Sequence, residues 1–297
     1  MKFHYRVPAQ FFTYLSFPFV MLLLVNCSQQ PVDNTARSGK LSIAIDQQLE
    51  SMVTSQCEAF NRYYPDARIT LIPATSRKTL KYFLNHTAKA VLISSEIQPV
   101  EESILATLKH PIRREPVARD AIVCIVNHRN PVKSLSLDDL ARLYTKPGEE
   151  ILPLFNVDDY RLIALFAKKT SKKKGDLHAW GCSSDRELIE RVAVDDKAVG
   201  LLFRSSLDAV LSSVPRRDNI RIIPLSKDKS SESVYLPTPQ NIYNGYYPLV
   251  TTVYYVYYSS DALAMGFGSW LGSLGQKGFE RSFLVPFRLV ERTIILK

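Results

Sequence analysis

The chain has 297 residues, of which 46% are hydrophobic and 23% are charged. This composition excludes collagen-like and intrinsically disordered proteins, and the length suits one large two-lobed domain or two modest ones. Lys and Arg outnumber Asp and Glu by 38 to 29, which favours anionic partners without choosing among phosphate, a lipid headgroup and nucleic acid.

The first 27 residues have the pattern of a lipoprotein signal segment. Lys2 and Arg6 precede an apolar run at 17–25 that is too short to span a membrane. The run ends in Leu24–Cys27, which resembles the lipobox of bacterial lipoproteins, where the Cys is lipidated. A polar stretch at 28–38 follows and has the composition of a flexible tether. We therefore expect an exported protein, periplasmic or at the cell surface, anchored to a membrane through Cys27; an uncleaved N-terminal anchor is the alternative.

Short apolar runs alternate with amphipathic segments in the remainder of the chain. The hydrophobic spacing predicts strands at 41–45, 69–72, 90–93, 121–127, 199–203, 221–225 and 248–258. It predicts helices at 47–64, 76–85, 99–108, 136–144, 158–169 and 184–192, and another around 270–274. This alternation predicts a mainly parallel sheet covered on both faces.

Three of these helices carry a recognisable start signal. Pro99 stands at a first-turn position, where its missing N–H costs nothing. Ser136 and Ser184 are each followed three residues later by an acidic residue, Asp139 and Glu187, which is the pattern of a capping box.

The cysteines and histidines predict neither a disulfide framework nor a metal site. Cys57, Cys124 and Cys182 remain after Cys27, and an odd number argues against systematic pairing in an oxidising compartment. Cys57 and Cys124 lie in apolar patterns and are expected to be buried. His178 and Cys182 have the i, i+4 spacing of metal ligands but no third ligand nearby, so we predict no metal and no cofactor.

Catalytic and nucleic-acid-binding motifs are missing from the sequence. It contains no G-x-S-x-G, H-E-x-x-H or G-x-x-x-x-G-K-[ST] pattern, and its five histidines are scattered. Five lysines between 168 and 174 follow a predicted helix, where cations complement the helix dipole, and no aromatic residues are interleaved with them. We therefore predict that the protein is not an enzyme and does not bind nucleic acid.

An ordered series of short motifs resembles the phosphate-binding protein of bacterial phosphate ABC importers. The central motif is Ala118–Val123 with Val126-Asn127 and Asn130-Pro131, similar to the family's "ARDGIA-IVN-NP" segment, and the Leu-rich helix 135–144 follows it. The other motifs, in chain order, are Tyr64–Ala67, Val91–Glu96, Ala198–Gly200, Tyr247–Val250, Gly275-Gln276 and Leu284–Pro286. The resemblance runs from about residue 39 to residue 292.

The resemblance implies a two-lobed α/β fold of the type II periplasmic-binding-protein class. Mixed sheets flanked by helices form two lobes, which close on a ligand by motion at a hinge. It places lobe one at residues 39–117 plus 248–297 and lobe two at residues 118–247. It also implies a monomer that works with an ABC permease.

The resemblance further implies a site for phosphate or a similar small oxyanion in the cleft between the lobes. Backbone N–H groups at helix N-termini bind such anions, and Ser or Thr hydroxyls add donors. A carboxylate can accept the proton of monohydrogen phosphate, and an arginine can donate two hydrogen bonds. The candidate residues at turns of lobe one are Asp46, Thr75, Ser76, Ser94 and Ser95. Two charged candidates join them: Arg161 in lobe two, and Asp120 at the first crossing between the lobes.

Three departures from the family pattern keep a second function open. Gln47, Gln48 and Leu49 replace the hydroxyls of the first loop, and Ser95 stands where the family has Arg. The segment Phe155–Arg161 replaces the "SGT" turn, and its Asp158 and Asp159 would repel an anion. The chain therefore either binds an oxyanion for an importer or sensor, or keeps the fold with an eroded site and serves as an envelope interaction module.

Overall fold

The computed structural model describes residues 34–148, 150–231 and 233–289, which belong to one compact unit beginning at Asn34. The predicted signal segment, the lipidation site Cys27 and the first part of the predicted tether lie outside the described residues. So do residues 290–297 of the predicted first lobe.

Twelve strands and ten α-helices are assigned among the described residues. The strands are β1 (Gly39–Asp46), β2 (Ala67–Ala74), β3 (Ala90–Ile93), β4 (Ile112–Asn127), β5 (Leu135–Ser136), β6 (Leu152–Asn156), β7 (Trp180–Cys182), β8 (Ala198–Phe203), β9 (Ile220–Ile222), β10 (Leu225–Ser226), β11 (Val250–Tyr258) and β12 (Val285–Pro286). The helices are α1 (Glu50–Tyr63), α2 (Ser76–Leu84), α3 (Pro99–Leu105), α4 (Leu137–Thr145), α5 (Tyr160–Lys169), α6 (Asp185–Val194), α7 (Arg204–Leu211), α8 (Pro239–Tyr243), α9 (Ala262–Leu271) and α10 (Gln276–Phe279).

Most strands follow one path, β2-β1-β3-β11-β4-β8-β6-β7, with β9 and β12 pairing to β4. The pairs β1–β2, β1–β3, β6–β7 and β6–β8 are parallel, as the strand–helix alternation predicts. The central pairs β3–β11, β11–β4 and β4–β8 are antiparallel. The sheet is therefore mixed rather than mainly parallel, because β4 and β11 run opposite to their neighbours.

The long strand β4 joins the two halves of this sheet. Its residues 112–121 pair with β11, and its residues 122–126 pair with β8. We call the strands β2, β1, β3 and β11 with their helices the first half, and β8, β6 and β7 with theirs the second half. The lobe boundaries 39–117 plus 248–297 and 118–247 stay a prediction.

Each half has its own apolar packing. The second-half core surrounds β8, all of whose residues are buried, and includes Leu188 and Phe203. A Cβ added at Gly200 would lie 2.6 Å from the Leu188 side chain, so this glycine permits close approach of α6 to β8. The first half has two cores, one on each face of its strands, which centre on Phe60 and Phe83. Helices therefore cover a sheet on both faces, as predicted.

The described cysteines agree with the expectations for burial. Cys57, Cys124 and Cys182 are free and buried, and burial raises the pKa of the Cys57 and Cys124 thiols to about 12. None of the described helices is long and apolar enough to cross a membrane.

Candidate functional site

The site is built where β1 and β3 end at the same edge of the first half. These strands are parallel neighbours, with Ile45 beside Leu92, so the turns that follow them lie side by side. Asp46 ends β1 and is fully buried. Its Oδ2 accepts hydrogen bonds from the backbone N–H and the hydroxyl of Ser94, both at 2.8 Å. The Asp46 carboxylate therefore accepts hydrogen bonds from two Ser94 donors that were predicted to bind an oxyanion.

Arg161 approaches this turn from the second half. It is the second residue of α5 and is fully buried. Its Nη1 donates to Glu101 Oε2 at 2.8 Å, and its Nε lies 3.6 Å from Asp46 Oδ2. The guanidinium thus lies between two carboxylates of the first half and joins the halves across the cleft.

Glu101 is held in place by its own helix. It is the third residue of α3, and its Oε2 also accepts the backbone N–H of Gln98 at 2.8 Å in a capping box. Its Oε1 accepts the hydroxyl of Tyr160 from the second half. Both carboxylate oxygens are therefore engaged, and each has one partner from across the cleft.

The charges at the contact favour a cationic Arg161. Burial alone lowers the pKa of the Arg161 guanidinium, but Asp46 and Glu101 outweigh it and the net shift is upward. Burial raises the pKa of the Asp159 carboxyl well above its usual range, with contributions from Asp185 and Asp46. Asp159 caps α5 by accepting the Leu162 N–H at 3.2 Å.

Three buried polar atoms of the contact lack hydrogen-bond partners among the described residues: Nε and Nη2 of Arg161 and Oδ1 of Asp46. Two donors and one acceptor therefore remain unmatched beside the ion pair. This set is complementary to a group that accepts two hydrogen bonds and donates one.

The hydroxyls of Ser76 and Ser95 donate to backbone carbonyls of the protein. Ser76 opens α2, and its hydroxyl donates to the backbone carbonyl of Asp158 at 3.2 Å, a further link between the halves. The Ser95 hydroxyl donates to the Glu96 carbonyl at 3.3 Å. Thr75 is the N-cap of α2, and its carbonyl rather than its hydroxyl accepts hydrogen bonds from the first turn. Asp46, Ser94 and Arg161 are therefore the predicted residues that the structure brings together most closely.

Asp120 belongs to a different contact, at the start of α7. Its Oδ1 accepts the N–H of Ala121 at 2.7 Å and that of Ser205 at 3.3 Å, while Oδ2 accepts the Ser205 hydroxyl at 2.5 Å. Burial raises the pKa of Asp120 to about 6 against the opposing effect of these hydrogen bonds. Asp120 therefore links β4 to α7.

Glu101, Tyr160 and Asp159 were not among the predicted site residues. Gln98 and Glu101 have the spacing of a capping box beside Pro99, which could have identified the helix start. Nothing in that spacing indicates a partner on the other half. The described residues contain no group of three or more His, Cys, Asp or Glu side chains arranged to hold a metal ion.

The chain matches the model of the PBP superfamily domain over residues 31–273. No curated protein matches it significantly by sequence. Among solved structures, it is similar to a putative phosphate ABC transporter substrate-binding protein with bound phosphate from Clostridium perfringens. That match has 18% identity and a TM-score of 0.67, and it covers 84% of this chain and 100% of that one.

Two further structures define how far the similarity reaches. An ABC-type phosphate transport receptor from Vibrio cholerae has 17% identity and a TM-score of 0.64, over 84% of this chain and 100% of that one. The reduced regulatory domain of OxyR2 from Vibrio vulnificus has 11% identity and a TM-score of 0.54, over 82% of this chain and 96% of that one. These identities establish a shared fold, and the family match extends over most of the chain. The chain belongs to the PBP superfamily, with the mixed α/β solute-binding-protein fold.

Proposed function

We propose that this protein has a solute-binding-protein fold and that its own side chains close the cleft. In this proposal it serves as an interaction module at the cell envelope. The observation that carries the proposal is the burial of Arg161 between Asp46 and Glu101. The closed arrangement is then stabilised by the chain itself and needs no ligand to join the halves.

The charge balance at the contact opposes a free oxyanion. Asp46 and Glu101 face one guanidinium, so an incoming anion would meet two carboxylates of its own sign. Two unit charges 4 Å apart interact by about 4 kcal/mol at an effective dielectric constant of 20. A singly charged phosphate placed about 4 Å from Asp46 would therefore be repelled by an energy comparable to that of a millimolar binding equilibrium, and a dianion by about twice as much.

The donors that would bind an oxyanion are also in use. Ser94 gives both its N–H and its hydroxyl to Asp46, and the Ser76 hydroxyl is bound to a carbonyl of the second half. An anion would have to displace Asp46 from Ser94 and separate it from Arg161. Breaking a buried ion pair costs roughly 3–5 kcal/mol, which would weaken anion binding by more than about a hundredfold.

Oxyanion capture is the second candidate function, and one observation favours it. Nε and Nη2 of Arg161 and Oδ1 of Asp46 are buried without hydrogen-bond partners. Two donors and one acceptor match monohydrogen phosphate, which can accept from the arginine and donate to the aspartate. In this function the protein would deliver phosphate or a related oxyanion to an ABC permease. Two proteins with a similar structure support it: a putative phosphate ABC transporter substrate-binding protein with bound phosphate and an ABC-type phosphate transport receptor.

Calorimetric titration of the full chain with phosphate separates the two functions, with sulfate and arsenate as comparators. The interaction-module proposal predicts no saturable heat with any of the three anions in a folded sample. Micromolar binding of phosphate would overturn it in favour of oxyanion capture. The anchor at Cys27 and export to the envelope are part of the proposal and follow from the lipobox-like segment. The monomeric state follows from the family resemblance.

A further inference from the structure

A groove of about 860 Å³, whose lining contains none of the charged residues of the Arg161 contact, lies between α1, α7 and the segment from Trp270 to Leu284. We call it the α1–α7 groove. One wall comes from α1 of the first half, and the opposite wall includes Ser205, Asp208 and Ser212 of the second half. The groove therefore spans both halves next to the Asp120–Ser205 link.

Large apolar side chains are exposed along this groove. Tyr63, Phe283 and Leu274 have exposed fractions of 62%, 59% and 47%. The Tyr63 ring packs 5.1 Å from that of Trp270, whose indole N–H donates to Gln56. The apolar wall therefore rests on a fixed support, and aromatic residues of this kind supply much of the binding energy at protein interfaces.

The charged residues of the groove are predominantly cationic. Arg62, Lys277 and Arg281 line it, and none of them forms an ion pair with any residue of the described ranges. Asp208 is the acidic residue in the lining, and its carboxylate is already bound to Arg204 at 2.5 Å. The groove thus offers three cations that have no ion-pair partner within residues 34–289 as far as the structure describes them, beside exposed apolar side chains.

We propose that the α1–α7 groove docks a segment of a partner protein in which acidic side chains stand next to large apolar ones. Carboxylates of the segment would pair with Arg62, Lys277 and Arg281, and its apolar side chains would cover Tyr63 and Phe283. The proposal names the partner class for the interaction role given above and rests on that role. Because the groove contacts both halves, docking there would also stabilise their closed arrangement.

Selection of binders from a random peptide-display library on the full chain tests this proposal. The expected result is enrichment of peptides that combine Asp or Glu with Leu, Phe or Trp. A synthetic peptide of the enriched sequence should bind the Arg62→Glu/Arg281→Glu variant about tenfold or more weakly, and the Phe283→Ala variant about tenfold more weakly. The Lys133→Glu/Lys172→Glu variant carries the same change in net charge on exposed residues outside the groove, and its affinity should match that of the parent.

Enriched peptides that lack acidic residues, no enrichment at all, or equal losses in the control variant would overturn the proposal. The outcome is independent of the phosphate titration, which addresses the cleft. If the protein binds both phosphate and acidic–apolar peptides, the closed-cleft proposal is wrong and the groove proposal stands. If it binds neither, the closed-cleft proposal stands and the groove proposal is wrong.

Discussion

The guanidinium of Arg161 and the carboxylate of Glu101 are joined by a 2.8 Å bond between residues 60 positions apart in the chain. The two residues belong to different halves of the fold, and both are buried. Asp46 completes the contact on the other side of the guanidinium. In a fold whose relatives include phosphate-binding proteins, a contact between side chains thus fills the region predicted to bind an anion.

Replacement of Arg161 by methionine should strongly destabilise the protein. Arg161→Met leaves Asp46 and Glu101 buried without their cation, and removal of one partner of a buried ion pair costs about 3–5 kcal/mol. Denaturant unfolding followed by circular dichroism measures this loss. The matched control is Arg186→Met, because Arg186 pairs with Glu190 at the surface and such pairs contribute about 0–1 kcal/mol. Equal losses in the two variants would contradict the account.

Removal of the two carboxylates should create an anion site. In the Asp46→Asn/Glu101→Gln variant, Arg161 is a buried cation with no counter-charge, so an oxyanion that binds it gains a charge-assisted bidentate contact. Phosphate should raise the melting temperature of this variant by at least about 2 °C, as a ligand that binds only the folded state must. The parent protein should show no such rise, and sodium chloride at equal ionic strength serves as control. Equal stabilisation of parent and variant by phosphate would be inconsistent with the closed cleft.

As the pH rises, the free energy of unfolding of the parent protein should fall relative to that of the Asp120→Asn variant. The folded pKa of Asp120, about 6, lies above its ordinary value of 3.8, so the folded state holds the proton more tightly. Below about pH 3.8 the carboxyl is neutral in both the folded and the unfolded state and does not change the free energy of unfolding. Above the folded pKa it is ionised in both states, and the cost of burying the charge lowers the free energy of unfolding in full. Between about pH 4 and pH 7 the parent should lose about 1–3 kcal/mol relative to the variant. Urea unfolding at both pH values measures this, and parallel stability curves would argue against a raised pKa.

Ser94→Ala should destabilise folding. The substitution leaves Oδ2 of the buried Asp46 with one hydrogen bond fewer, which costs about 1–3 kcal/mol for a charged acceptor. Ser55→Ala is the control, because the Ser55 hydroxyl donates to a carbonyl in an exposed setting on α1. Chemical unfolding of both variants decides the point. If Ser94→Ala and Ser76→Ala together change anion affinity rather than stability, oxyanion capture gains support.

Cys27→Ala should release the protein from membranes or stall its processing. The lipobox-like segment predicts that Cys27 carries the lipid, so its loss removes the anchor. Fractionation of cells and electrophoretic mobility report the result, with Ser28→Ala as control. Unchanged membrane retention and mobility of Cys27→Ala would favour an uncleaved N-terminal anchor.

Local signals in the sequence predicted most of the elements. Ser136 and Ser184 cap α4 and α6 by accepting the backbone N–H of Asp139 and Glu187, as their spacing indicates. Pro99 opens α3. These features depend on residues three or four positions apart, so the sequence carries them directly. The antiparallel placement of β11 between β3 and β4 depends on distant pairing, and the alternation of strands and helices alone predicted a mainly parallel sheet instead.

The sequence predicted where several site residues lie, but not which side chains they contact. Asp46, Ser94 and Arg161 were each predicted because they lie at turns that face the cleft. That Asp46 accepts from Ser94, and that Arg161 lies against Glu101, depends on side chains 48 and 60 residues apart. Sequence motifs can identify hydrogen-bond donors that could bind an anion. They do not reveal that a carboxylate of the protein itself already accepts from those donors.

The distance between the halves in the absence of ligand tests the central claim most directly. Spin labels on Lys78→Cys after the start of α2 and Lys172→Cys beyond α5 can be placed in a Cys27→Ala background, where the remaining thiols are buried. Pulsed dipolar spectroscopy should give a single narrow distance distribution that phosphate leaves unchanged and that Arg161→Met broadens. A longer distance without ligand that shortens when phosphate is added would contradict the account.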